Sequence, residues 1–176
     1  MAIRPIIEVP DPRLRIVSKP HEGGIDDDLR TLIADMFETM YAAPGIGLAA
    51  IQIGVPKRVL VIDLQEEVDE EGKPVRDPRV FINPEILEPA DHYNTYTEGC
   101  LSVPDQYADV DRPATCRARW MDEHGVLHDE RIEGMLATCL QHEMDHLEGI
   151  VFIDHLSRLK RDMILKKLAK QRKAAA

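Results

Sequence analysis

A chain of 176 residues has room for one domain with a substantial core, and 44% hydrophobic with 31% charged residues suits a globular protein in water. No apolar run is long enough for a secretory signal or a membrane span, which points to the cytoplasm and away from a membrane partner. The net charge of −10 divides unevenly: Ser157–Ala176 carries eight Lys/Arg and one acid, a net of +7, while residues 1–156 hold 14 basic and 31 acidic side chains.

Residues 1–24 contain four prolines and read as an arm lying on the domain. Asp26 or a neighbour can cap the helix that follows, where Leu29, Leu32, Ile33, Met36, Phe37 and Met40 recur at helical spacing. Pro44 and Gly45 stop it near Ala42. Gly45–Gln52 reads as a loop whose glycines let backbone approach a ligand closely, and Gln52 offers an amide. Arg58–Leu64 is a strand by its β-branched content, and Glu66–Arg79 is a charged, mobile surface loop. Arg79–Leu87 is a strand interrupted at Pro84, hence an edge or a bend. Thr115–Met121 and Val126–Ile132 form a hairpin around Asp122–Gly125. A helix spans about Gly134 to Glu148, Val151–Ile153 is a short apolar piece, and the tail from Ser157 is helical. Two regions follow, a body over 1–156 and a basic tail over 157–176. The whole reads as an α+β domain of antiparallel strands packed around a central helix, with a helix at the C-terminus.

Chemistry concentrates in Gln141–Gly149, QHEMDHLEG. His142 and His146 are four residues apart and share one helix face, within reach of a single metal ion. Glu143, rotated about 100° from His142, is placed to move a proton beside such a site rather than join it. A catalytic site needs a third ligand. Phe152 occupies the position where a third histidine would follow, and Asp154 and His155 are the weaker downstream options. Upstream, Glu98–Pro104, EGCLSVP, offers Cys100, a soft donor suited to zinc or ferrous iron, with Gly99 removing a side chain where a ligand would approach. Three cysteines, an odd number, argue against a disulfide framework. Cys116 reads as a small core residue in a strand. His21, His92, His124, His128 and His155 show no mutual ligand spacing and read as surface residues.

GIGLAAIQ at 45–52, EGCLSVP at 98–104 and QHEMDHLEG at 141–149 resemble, in order, the three motifs of bacterial peptide deformylase, and Asp11–Arg15 resembles that family's start. The resemblance implies that Cys100, His142 and His146 hold one ferrous ion, for which zinc or another divalent metal can substitute. Metal-bound hydroxide would attack the formyl carbon, with Glu143 as general base and then acid. The Gln52 side chain and the Leu101 amide would steady the oxyanion. Ile46, Cys139 and His142 would border the methionine pocket, with Cys139 as wall rather than ligand, and the Gly47 and Gly99 backbones would meet the peptide. Arg112 would pair with Glu98. The substrate would be the N-formylmethionine of nascent chains, released as formate and a free amino terminus.

Two rivals share the residues. A zinc endopeptidase needs a groove on both sides of the scissile bond, and a structural metal site leaves Glu143 without a task. The tail has two readings as well. Leu159, Met163, Leu165 and Leu168 can pack on the domain, or the basic helix can dock on RNA. The resemblance favours ribosomal RNA as the partner, and no DNA partner is expected.

Overall fold

The computed structural model describes residues 2–176, so Met1 of the expected arm lies outside them. Helix α1 (Asp27–Ala42) starts where Asp26 accepts a hydrogen bond from the Leu29 amide at 2.8 Å, satisfying one of the orphan donors of a helix start. Leu29, Leu32, Ile33, Met36 and Met40 are buried along one stripe, with Phe37 at its margin.

The larger sheet is antiparallel throughout and runs β1 (Gly47–Ala49), β2 (Val59–Ile62), β3 (Arg79–Pro89), β6 (Thr115–Met121), β7 (Leu127–Glu133). Strands β4 (Tyr93–Cys100) and β5 (Val103–Pro113) form a separate two-stranded sheet. In β2 all four residues are buried, and alternation sends them to opposite faces. Val59 and Val61 join the core beneath α1. Leu60 and Ile62 join Ala137, Leu140 and Leu147 of helix α2 (Gly134–Leu147) on the other face. Each such side chain contributes roughly 1.5–3 kcal/mol when fully buried. The sheet is thereby fixed between α1 and α2. The outer side of α2 meets the second sheet, where Gln141 Nε2 donates to the Pro113 carbonyl at 2.9 Å. The mixed architecture of antiparallel sheets and a C-terminal helix is the one expected.

Several local expectations change. Gly45–Gln52 is not all loop: Gly47–Ala49 is a buried strand paired with β2, and a 3-10 turn follows over Ala50–Ile53. Pro84 makes a bend and not an edge, since β3 lies mid-sheet with Asn83 at φ +51° and a register shift between Ile82 and Glu85. His21 is buried, because its backbone is clasped by the Asn83 side chain and its Nε2 meets the Gly24 carbonyl. The β4–β5 hairpin was not expected as a unit.

Helix α3 (Arg158–Ala175) seats Ile164 and Leu168 in a third core with Ile7, Val9, Val110 and Phe152, and Leu165 flanks it. Leu159 and Met163 stay 72% and 51% exposed. Met163 lies one residue, roughly 100°, off the buried seam. The N-terminal arm stitches distant segments together: the Ile7 amide donates to the Gln52 carbonyl at 2.7 Å and the Val9 amide to the Ser102 carbonyl at 2.9 Å. Among the described residues no helix is long and apolar enough to cross a membrane.

Gly149 ends α2 at φ +73°, and a Cβ there would lie 2.6 Å from the Arg15 carbonyl oxygen. Gly72 has a similar φ, +79°, with nothing within 4 Å of such a Cβ. Gly72→Ala should cost only the left-handed penalty of about 1–2 kcal/mol. Gly149→Ala should cost clearly more, since backbone must also move. Urea denaturation of both variants checks this, and equal losses would contradict it.

Candidate active site

Helical phase does the first part of the assembly. Four residues apart on α2, His142 and His146 are both buried, their ring centroids 5.3 Å apart. Cys100, half-buried at the end of β4, brings its Sγ to 3.4 Å from His146 Nε2. Ligand atoms of Cys100, His142 and His146 lie within 4.8 Å of one another, the one such Cys/His/Asp/Glu group among the described residues.

His142 is held from behind, whereas His146 Nδ1 has no hydrogen-bond partner among the described residues. His142 Nδ1 meets Glu98 Oε1 at 2.8 Å, which leaves Nε2 for the cluster. Glu98 accepts from Arg112 Nε at 2.7 Å and Nη2 at 2.9 Å, so the expected Glu98–Arg112 pair is formed. Burial works to raise the Glu98 carboxyl, but the hydrogen bonds from His142 and Arg112 outweigh it and hold the group below its usual value. Burial likewise works to lower His142, yet Cys100 and Glu98 raise it well above its ordinary value. Burial and the neighbouring His142 push His146 down, so it stays neutral. The surroundings thus favour one positive charge between Cys100 and His142. A divalent ion fits that demand, and two imidazoles plus a sulfur form a three-ligand set with one position to spare. Cys139 lies outside that ligand group, and burial, with Glu143 and Glu98 nearby, pushes its thiol well up.

Glu143 faces the cluster from the side, Oε1 at 3.9 Å from His142 Nε2, and its Oε2 has no hydrogen-bond partner among the described residues. Burial pushes its carboxyl up to about 7, helped by Glu98 and Asp145 and opposed by His142 and Arg112. A base poised near neutral pH is suited to shuttling a proton. Gln52 is anchored through Oε1 on the Ala49 amide at 2.9 Å. Its Nε2 reaches Ser102 Oγ at 3.0 Å and Cys100 Sγ at 3.6 Å. Ser102, fully buried, was not picked out from the sequence, although it sits inside the EGCLSVP motif.

A cleft of about 930 Å³ opens over these groups, bordered by Ile46, Gly47, Gly99, Leu101, Cys139, His142 and Glu143. At Gly47 a Cβ would lie 2.7 Å from Glu143 Oε1 and 3.1 Å from Cys139 Sγ, so any larger residue would displace the Glu143 carboxylate. Gly99 is pressed under the Tyr107 ring, 2.5 Å from where its Cβ would be. Of the expected site residues, Ile46, Gly47, Gln52, Gly99, Cys100, Leu101, Cys139, His142 and Glu143 line this cleft, and fully buried His146 does not. Asp154 and His155, the weaker downstream options, lie outside the cleft, and His155 Nε2 meets Asp145 Oδ2 at 2.7 Å.

The profile of the polypeptide deformylase family matches residues 3–162. The peptide deformylase of Rhizorhabdus wittichii is 72% identical over 174 residues, covering 99% of this chain and 98% of that protein. That of Novosphingobium aromaticivorans is 65% identical, covering 99% and 100%. Among solved structures, a peptide deformylase from Legionella pneumophila superposes with a TM-score of 0.86 at 45% identity over 99% and 98% of the two chains. The Ehrlichia chaffeensis enzyme in complex with actinonin gives 0.87 at 41% identity over 97% and 98%. The chain belongs to the peptide deformylase family and is a hydrolase that removes the formyl group from peptides.

Proposed function

We propose that the chain takes the N-formyl group from the initiator methionine of nascent polypeptides in the cytoplasm, using one divalent ion, ferrous iron or zinc, held by Cys100, His142 and His146. The observation that carries this reading is the convergence of those three ligand atoms beneath the cleft. A divalent ion held there by Cys100, His142 and His146 would supply Lewis acidity toward the attacking water and the formyl oxygen. Glu143 takes the proton from the attacking water and returns it to the departing amine, giving formate and a free amino terminus. Negative charge developing on the formyl oxygen meets the Gln52 amide, preset by Ala49 and Ser102, and the Leu101 backbone N–H. Ile46 and Cys139 flank the methionine side chain, and the Gly47 and Gly99 backbones align the peptide. Cys100→Ala should lose metal and activity together, and a variant with a stoichiometric ion at wild-type affinity would rule out the ligand set.

Glu143→Gln should keep the metal and lose about 10²–10⁴ in kcat. Its stability carries a second signature. The folded-state carboxyl sits at about 7 against an ordinary 4.5, so the fold binds that proton longer than the unfolded chain does. Stability of the metal-free protein is then lost as pH rises from about 4.5 to about 7. Metal-free Glu143→Gln lacks this loss and should exceed the metal-free wild type at pH 8 by up to the order of 3 kcal/mol. The gap should close near pH 4, and urea titrations at both pH values test it. A gap independent of pH would mean that Glu143 is an ordinary carboxylate.

The same reading gives α3 a partner. Its buried side uses Ile164 and Leu168, while Lys160, Lys166, Lys167, Lys170 and Lys173 stay exposed, so packing and docking are compatible. We assign the exposed face to ribosomal RNA near the emerging substrate. Replacing those five lysines with Gln should abolish co-sedimentation with ribosomes at low salt while leaving hydrolysis of a short formyl-Met peptide nearly unchanged. Equal sedimentation of variant and wild type would remove α3 as the anchor.

A further inference from the structure

The hydrogen-bonded chain behind His142 continues past Arg112. Arg112 uses Nε and Nη2 on Glu98, and its remaining edge, Nη1, donates to Asp145 Oδ2 at 2.8 Å. That same oxygen meets His155 Nε2 at 2.7 Å. A continuous path thus runs from His142 through Glu98 on β4 and Arg112 on β5, back to α2 at Asp145, and on to the 3-10 turn Phe152–His155. It ends at a second cavity of about 430 Å³, bordered by Arg112, Asp145, Glu148 and His155.

The charges along this path are balanced. Glu98 Oε1 accepts from both His142 Nδ1, at 2.8 Å, and Arg112 Nη2, at 2.9 Å, so the two donors compete for one oxygen. Arg112 is only 6% exposed, and its charge falls on whichever carboxylates it touches. With Asp145 on its outer edge, part of that charge is drawn away from Glu98. With Asp145 neutral, Arg112 would bind Glu98 unopposed, weaken its hold on His142, and leave one more positive charge near the cluster. Both effects disfavour a cation at His142. Asp145 adjoins His146 in sequence and lies three residues from His142, on the same side of the helix, yet it hydrogen-bonds with neither histidine ring and reaches His142 only through Arg112 and Glu98.

We propose that Asp145 is a positioning residue for His142, acting through Arg112 and Glu98, with His155 as its clamp on the solvent side. The inference rests on the metal-site reading above. The test uses full-length protein and zinc. Zinc affinity is measured by chelator competition, and the visible spectrum of the cobalt-substituted protein is recorded for wild type, Asp145→Asn, His155→Gln and His155→Leu. Asp145→Asn should bind zinc about ten-fold more weakly, as partners behind a ligand typically do, and should shift the cobalt bands. His155→Gln keeps an N–H donor and should match wild type, whereas His155→Leu should fall between wild type and Asp145→Asn. A folded Asp145→Asn that loses thermal stability but keeps wild-type zinc affinity and spectrum would overturn the proposal. If Asp145→Asn does not fold, the two His155 variants decide, and equal zinc affinity for them overturns it. A wild type without stoichiometric zinc would overturn the metal reading and this proposal together.

Discussion

The interaction on which the site depends is the buried contact of the Glu98 carboxylate with His142 and Arg112. Two charged groups held 2.7 Å apart in the interior cost several kcal/mol each in lost hydration, and a hydrophobic pair of similar volume is often no less stable. What the pair contributes is direction. Glu98 sits two residues before Cys100 on one strand and holds a histidine on a helix, so one carboxylate sets the distance between two ligand candidates of different elements. Because His142 must present Nε2 and not Nδ1, the hydrogen bond also fixes which ring nitrogen is free.

Around that contact, several groups approach one another closely at the floor of the cleft. Gly47 and Gly99 each lie where a single methyl group would collide, one with Glu143 and the other with Tyr107. Gln52 is tied at both ends of its amide, and the arm residues Ile7 and Val9 reach the backbones of Gln52 and Ser102. The prolines that deny this arm regular structure leave its amides free to make those cross-links. Rigidity of this kind is what electrostatic stabilisation of a developing charge needs, since donors that must reorient lose their advantage.

Much of the site was legible because it depends on local spacing. The i, i+4 histidines, the offset of Glu143, the α1 stripe and the β6–β7 hairpin follow from the 3.6 and 2.0 residue periods alone. Cys100 needed the motif context, since no period links it to α2. The β4–β5 hairpin escaped because β5 carries Pro104, Asp105, Asp109, Asp111 and Pro113, residue types depleted in strands. Its pairing jumps from Gly99↔Tyr107 to Cys100↔Val103, with Asp105 at φ +60° in the bulge. Ser102, His21 and the link from Asp145 to His155 were invisible for another reason. Each takes its role from a partner dozens of positions away or on another element, which no local pattern reports.

The central claim is that a sulfur and two imidazoles from β4 and α2 share one ion. X-ray absorption at the metal edge of protein loaded with zinc or, anaerobically, with ferrous iron tests it most directly. The account predicts, for zinc, one sulfur scatterer at about 2.3 Å and two histidine nitrogens at about 2.0–2.1 Å. A first shell of nitrogen and oxygen only in the wild type would contradict it.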